Sequence, residues 1–364
     1  MNNFYTANIE MLYYSHGDYS NIDDYASQLL QEAKINKNSI NVYDSSFVLF
    51  TTLLWEPHLL DNAKPYIELF KSFKRKNIKT VLLLDSYFKS SEHLKLLETE
   101  IYFVDFFLWR TYDKVVNQKK SQVNLFWNQN ADKFLFLNGK PDRPNRIRLL
   151  WKLRDLLNRS IWSLHVHDGT RMSCRQLIPE ISDKEFNEFV EMYNQNPDDA
   201  NVIFQDFSCH YGGIPYKVDL FRDTLFRIVS ETNLNEKDPP WLTEKTWITI
   251  LNRLPFIMAG DLNSLKKLND LGFRTFEKYL PVQNYDQIAN YEEKLNAIVK
   301  NARYWLYDMH EKQEIASDVD HNYELLIGMA KKNEARLREV CAKFGINERR
   351  VGEICNTFDI LGNE

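Results

Sequence analysis

The sequence predicts an α/β chain with two alternations of strand and helix followed by a wholly helical part. Short apolar runs of strand length recur between helix-like segments, which is the signature of βαβ units and parallel sheets. A polar stretch at residues 109–131, rich in Lys, Asn and Gln and without periodicity, separates the two alternations. Beyond Asn284 the pattern turns helical to the end. The expected domains are 1–128, 129–284 and a helical extension over 285–364.

In the first alternation, Ser46–Leu54 (SFVLFTTLL) reads as a buried strand and Asn62–Lys76 as a helix with a basic end. Ile78–Leu84 is a second strand ending in Asp85, Ser90–Glu98 a short helix, and Ile101–Leu108 a third strand. In the second, Phe134–Leu137 is a strand, and Asn145–Leu157 a helix with Ile147, Leu150, Trp151 and Leu157 along one face. Ile161–Val166 is another strand and Asp183–Asn194 another helix. Phe226–Val229 is an apolar run ending in Ser230-Glu231-Thr232, and Pro239-Pro240 punctuate the loop after it. Thr243 is a good N-cap for a helix opening Glu244-Lys245-Thr246. Pro255–Met258 is the next strand, closed by Ala259-Gly260, and Gly272 stops the following helix. Helices are then expected over Tyr285–Arg303, over Tyr304–Ile315 and from Asp320 onward.

Composition excludes several classes. With 44% hydrophobic and 14% aromatic residues over 364 positions, disorder is no global description. A net charge of −5 supplies no global field for nucleic acid, so such binding would need a local patch. The four cysteines, Cys174, Cys209, Cys341 and Cys355, lie far apart and form no CxxC pair, so reduced thiols are expected. No apolar run approaches the ~18 residues of a membrane helix. The N-terminus MNNFYTANIE shows no signal peptide, and a cytoplasmic protein is expected.

Ligands of open α/β sheets bind outside the carboxyl ends of the strands, and two segments put polar residues there. Asn138-Gly139-Lys140-Pro141-Asp142-Arg143-Pro144-Asn145-Arg146 is a strand end, a basic loop and a helix start. A helix N-terminus holds phosphate, and Lys140, Arg143 and Arg146 add the counter-charges a diphosphate needs. The bland alternative is a solvated basic turn, and the glycine spacing of a Walker loop is missing. The second segment carries Glu231, Glu236 and Glu244. Glu236 and Glu244 have an E-x7-E spacing that chance also produces. Glu244, in a first helical turn, could accept from ribose hydroxyls or simply complement the helix dipole.

Other constellations are weaker. Asp318-Val319-Asp320 has an Asp-x-Asp form but is placed between helices, where it reads as a cap, so no metal site is expected. His165 and His167 point to opposite faces if extended, against joint ligation.

Read together, Ser230-Glu231-Thr232, Leu242-Thr243-Glu244-Lys245-Thr246, Leu254-Pro255-Phe256-Ile257-Met258-Ala259-Gly260 and Leu271-Gly272-Phe273-Arg274-Thr275-Phe276 carry a resemblance. They resemble the donor-binding half of certain glycosyltransferases, of exostosin-like and α1,3-fucosyltransferase-like type, and related proteins of tailed bacteriophages. A weaker match covers Lys133–Leu157. The resemblance implies two Rossmann-like domains facing a cleft (GT-B type) with a helical C-terminal extension. It implies a UDP- or GDP-sugar as co-substrate, no resident cofactor or metal, and donor contacts at Asn138, Gly139, Lys140, Arg143, Arg146, Glu231, Thr243, Glu244, Lys245 and Thr246. A catalytic base would come from the N-terminal domain, where His16, Asp18 and Asp85 are candidates by position alone.

The implied acceptor is a hydroxymethylated pyrimidine in phage duplex DNA. Lys71, Lys74, Arg75, Lys76 and Lys79, and Lys114, Lys119 and Lys120 near Trp127, could supply phosphate contacts and stacking, though charge runs are often solvated faces. A surface glycan acceptor, a nucleotide-sugar epimerase and a non-catalytic nucleotide-binding module are the alternatives.

Overall fold

The computed structural model describes residues 4–8, 48–53, 64–75, 79–85, 94–95, 99–104, 126–138, 143–163, 168–194, 218–231, 234 and 240–343. The chain is α/β and divides into two compact units, one formed by Met1–Trp109 with Lys331–Glu364, the other by Arg110–Ala330. Residues 285–330, expected to form a separate extension, group with the second unit instead.

The first unit holds a four-stranded parallel sheet, β1 (Phe4–Asn8), β2 (Val48–Leu53), β3 (Lys79–Asp85) and β4 (Glu100–Val104), ordered β1-β2-β3-β4. Helix α1 (Lys64–Arg75) connects β2 to β3 and buries Leu69, Phe70 and Phe73. Strand β1 escapes sequence reading because its five residues, FYTAN, contain only one aliphatic side chain.

The second sheet is built from β5 (Phe134–Leu137), β6 (Ser160–Ser163), β7 (Phe226–Ser230) and β8 (Phe256–Ala259), all parallel and ordered β6-β5-β7-β8. Every residue of β5, β7 and β8 is buried, as expected for parallel strands covered on both faces. Between β5 and β6 runs α2 (Pro144–Lys152), continued by a 3-10 turn at Arg154–Arg159. The single helix expected over Asn145–Leu157 is therefore broken near Leu153. A further helix, α3 (Asp168–Gln176), lies after the expected strand Ile161–Val166, where the sequence pattern gave no helix. Helices α4 (Asp183–Asn194) and α5 (Val218–Arg222) precede β7, α6 (Glu244–Leu251) joins β7 to β8, and α7 (Ser264–Asp270) follows β8.

Two helices complete the described residues, α8 (Tyr291–Tyr307) and α9 (Lys312–Lys343). The break expected between Ile315 and Asp320 is absent, and the observed break lies at 308–311. Asn290 caps α8 by accepting from the Glu293 amide at 3.1 Å.

Alternation along the strands assigns the two faces of the second sheet. Phe134 stacks on Phe226 at 5.6 Å, and Phe226 meets Trp305 of α8 edge-on at 5.2 Å. Helix α2 lies beside α8 on this face, tied through Arg148 and Lys152 to Glu292 at 2.5 and 2.9 Å. Arg227 points the other way, where Nη1 donates to Thr249 Oγ1 of α6 at 3.0 Å. The sheet is thus sandwiched, with α2 and α8 on one face and α6 on the other, and in such open sheets ligands bind at the carboxyl ends of the strands.

Candidate functional site

The order β6-β5-β7-β8 reverses direction at β5. From β5 the chain crosses to β6 on one side, then returns to place β7 on the other. Such a switch point pushes the two following loops apart and leaves a crevice at the carboxyl ends. β5 and β7 pair at Phe134↔Phe226 and Leu135↔Arg227, whereas β5–β6 and β7–β8 each run for four pairs. At the carboxyl end of β7 the start of α2 comes in, and Asn145 Nδ2 donates to the Glu231 carbonyl at 2.9 Å and to Ser230 Oγ at 3.4 Å.

The start of α2 is held there by local chemistry. Pro144 stands at the first helical position, where its missing N–H costs nothing. Arg143 is the N-cap in extended conformation, and its side chain makes no capping hydrogen bond. Arg146 is buried at 5% exposure in the same first turn. Asn138, the residue after β5, is 2% exposed. Its amide donates to Ser163 Oγ of β6 at 3.1 Å, yet neither Nδ2 nor Oδ1 of its side chain has a hydrogen-bond partner. Leaving such groups buried and unpaired costs about 1–3 kcal/mol each. Gly139 and Lys140 lie outside the described residues.

On the opposite face, the start of α6 is closed by the protein's own side chains. Glu231, 1% exposed, accepts from the Thr243 amide at 3.0 Å, from Thr243 Oγ1, and from Thr246 Oγ1 at 2.5 Å. Thr243 is the N-cap, as the sequence predicts, and its hydroxyl accepts from the Lys245 amide. Glu231, Thr243 and Thr246, expected together as donor contacts, instead satisfy one another inside the fold. The carboxylate sits where the helix dipole favours an anion, so it ties the end of β7 to α6. Glu244 and Lys245 form a partly buried ion pair, with Nζ 2.9 Å from Oε1, and Lys245 Nζ also donates to Thr243 Oγ1 at 3.1 Å.

Beyond β8 lies a buried polar group that the sequence reading did not single out. Lys294 of α8 is fully buried and donates to the Gly260 carbonyl at 2.9 Å and the Asp286 carbonyl at 3.1 Å, with Asp286 Oδ1 3.6 Å away. Asp286 in turn accepts from the Leu265 amide at the start of α7 at 2.8 Å. Burial pushes the Asp286 carboxyl up and the Lys294 amine down, in both cases against their mutual attraction. A signal existed: Lys294 shares the stripe of Ile298, Ala302 and Trp305 at helical spacing, all of them buried.

Of the remaining candidates, His16 and Asp18 lie outside the described residues, as do His165, His167, Glu236, Lys76, Lys114, Lys119 and Lys120. Asp85 is the last residue of β3. Lys71, in α1, pairs with Glu68 at 2.9 Å, and Lys74 and Arg75 occupy the helix's exposed last turn. Trp127 is buried and donates Nε1 to the Leu225 carbonyl at 2.6 Å, which removes it as a base-stacking platform.

Asp318 is no helix cap: it lies within α9, 2% exposed, and receives Arg274, Lys278 and Tyr279. Burial would raise its carboxyl, but the hydrogen bonds from Lys278, Arg274 and Tyr279 outweigh it and hold the group below the ordinary aspartate value. Asp320 faces out towards Arg253 at 3.3 Å. The two aspartates thus serve separate ion pairs. Among the described residues no helix is long and apolar enough to cross a membrane.

No protein-family model matches the chain, and no curated protein matches it.

Proposed function

We propose that the chain is a nucleotide-sugar-dependent glycosyltransferase of the two-Rossmann-domain (GT-B) type, with the donor nucleotide bound at the carboxyl edge of the second sheet. The observation that carries this reading is the strand reversal at β5, with α2 starting beside the carboxyl end of β7 and its N-cap residue making no side-chain cap. Switch points of open α/β sheets are where nucleotides bind, and helix N-termini supply oriented N–H donors for phosphate.

In this reading the first turn of α2 faces the diphosphate, and Arg143, with Lys140 from the preceding loop, supplies positive charge. As the glycosidic bond to the donor breaks, negative charge grows on the leaving diphosphate, and these fixed donors and cations stabilise it. Glu244 is the candidate acceptor for ribose hydroxyls. Glu231, Thr243 and Thr246 act as positioning residues, since their polar atoms already serve one another. A side chain such as Asp85, His16 or Asp18 would take the proton from the acceptor hydroxyl.

The acceptor assigned by resemblance is a hydroxymethylated pyrimidine in duplex DNA, supported by the basic end of α1 at Lys74 and Arg75. A base in a duplex must be flipped out before transfer, at a cost of a few kcal/mol. Incubating the protein with hydroxymethylated DNA and a panel of UDP- and GDP-sugars, then weighing the DNA by mass spectrometry, tests this directly. Added hexose or pentose mass is expected. Transfer to a surface glycan in parallel reactions would move the acceptor, and sugar isomerisation without any acceptor would replace transferase by epimerase. Turnover is expected to persist in excess chelator, because Asp318 and Asp320 are committed to ion pairs. Activity lost in chelator and restored by manganese would overturn that expectation.

A further inference from the structure

We propose that the Asn138 carboxamide is the contact for a vicinal diol of the bound nucleotide or nucleotide sugar. This rests on the nucleotide-binding reading above and names the part of the ligand that Asn138 takes. Among the described residues, Asn138 is the side chain whose two buried polar ends both lack a partner. Trp247 Nε1 and Glu277 Oε1, also without a partner, are single groups on side chains placed elsewhere.

Its position is set by strand alternation. Phe134, Phe136 and Asn138 share one side of β5, and Phe134 stacks on Phe226, which contacts Trp305. Asn138 therefore lies on the α2–α8 face. Ser230 lies on that same face of β7, two residues beyond Ile228 and four beyond Phe226 in the strand. Asn145, in the first turn of α2, reaches Ser230 Oγ at 3.4 Å. The unpaired carboxamide and the helix start thus lie at the same end of one face of the sheet, at the strand reversal.

The chemistry narrows the partner. A carboxamide offers two N–H donors and one acceptor oxygen. A phosphate can satisfy the donors, but it carries no proton at neutral pH for Oδ1. A pair of adjacent hydroxyls satisfies both ends, one accepting from Nδ2 and the other donating to Oδ1. Asn138 precedes the α2 N-cap Arg143 by only five positions. A group bound there is next to the phosphates, where the ribose stands on one side and the transferred sugar on the other. The nucleobase lies one ribose further away.

Calorimetric titration of the full chain and of Asn138→Ala with UDP, GDP, their 2′,3′-dideoxy analogues, UDP-glucose and GDP-mannose tests the assignment. If the diol is the ribose, Asn138 replaces Glu244 as its contact: wild type should bind the better of UDP and GDP roughly tenfold or more tightly than its dideoxy analogue, and Asn138→Ala should lose that discrimination. If the diol belongs to the sugar, UDP and GDP should bind both proteins equally, and the nucleotide sugar should lose roughly tenfold or more in Asn138→Ala. Equal binding of every probe by both proteins overturns the proposal while leaving the nucleotide site intact. A loss of equal size for nucleotide and dideoxy analogue places the carboxamide on the base or the phosphates and also overturns it. Failure of wild type to bind any of the probes removes the nucleotide reading itself and this assignment with it. Thermal melting without nucleotide is the independent check: Asn138→Ala should melt no lower than wild type, since it removes two unpaired buried groups. A melting temperature several degrees lower would mean that the carboxamide has a structural partner, such as an internal water, and would overturn the proposal.

Discussion

Helices α2 and α6 both start at the carboxyl edge of the second sheet, on opposite faces, yet their N-termini are finished in opposite ways. At α6, Thr243 caps the helix and the buried Glu231 carboxylate takes an amide and two hydroxyls. The positive end of that helix already holds an anion supplied by the protein. At α2, Arg143 makes no side-chain cap, Pro144 contributes no donor, and Asn145 spends its side chain on β7. The difference teaches where an external anion can go. A phosphate at α6 would have to compete with Glu231, whereas at α2 the N-cap residue is an arginine whose side chain makes no cap. Sequence motifs alone favoured both helix starts as donor contacts, and the pairing of Glu231 with Thr243 and Thr246 separates them.

The largest effect that sharpens this contrast is on stability. Glu231→Ala should strip three donors of their acceptor inside the fold and destabilise the protein by about 3–5 kcal/mol, measured by chemical denaturation. A variant that keeps wild-type stability but no longer binds nucleotide would return Glu231 to the ligand and break the contrast. Next comes binding. Arg143→Ala should weaken UDP or GDP binding by about 1.5–3 kcal/mol, the scale of a hydrogen bond to a charged group, while Lys245→Ala should cost under about 0.5 kcal/mol. The reverse ranking in a calorimetric titration would move the phosphate site to α6.

Two other carboxylates test the same idea, that a buried acid stabilises only as far as its partners reach. Asp318 has three, and Asp318→Asn should cost about 1–2 kcal/mol at pH 7. Its folded value is depressed, so its contribution is present above the ordinary 3.8 and is lost as pH falls through the folded value. The deficit of the variant should therefore shrink in melts run below that pH, and a constant deficit would show that the ion pairs contribute little. Glu277 is the opposite case. Burial, with Asp286 nearby, raises its carboxyl above the ordinary 4.5, and its Oε1 has no partner. A raised folded value means that the ionised form costs stability once pH rises through it. Glu277→Gln should raise the melting temperature slightly at pH 7, by roughly half a kcal/mol or less after solvent screening, with no gain below pH 4.5. Lower stability at pH 7 would mean that the charge is better solvated than its surroundings indicate.

Much of the second unit was legible. Phe134–Leu137, Asp183–Asn194 and the Thr243 cap appear where the pattern places them, because short apolar runs and capping hydroxyls act locally. The first unit was less so. Strand β1 is only five residues long and exists through parallel pairing with β2, from Phe4↔Val48 to Asn8↔Thr52, a contact between residues far apart in the chain. Around the candidate site, the strand-to-helix setting of Asn138, Arg143 and Arg146 was legible, because a strand end and a helix start are local features. The separation of Glu231 from Glu244 was not readable, since both are glutamates near the same helix start. Lys294 was readable in principle from its helical stripe, but a lysine there usually signals a register error rather than a buried cation.

By itself the sequence determined that this chain would be α/β and that Thr243 would cap the helix after β7, because both follow from interactions within a few residues. Only the tertiary structure decided that β7 would lie beside β5 on the side away from β6, and that Glu231 would be consumed at α6 while Asn138 stayed unpaired. Strand order is set by which apolar faces pack over long chain separations, here Phe134 with Phe226 and Phe226 with Trp305. Whether a polar side chain has a partner depends on groups 12 to 85 positions away, as for Thr243 with Glu231 and Asn145 with Ser230.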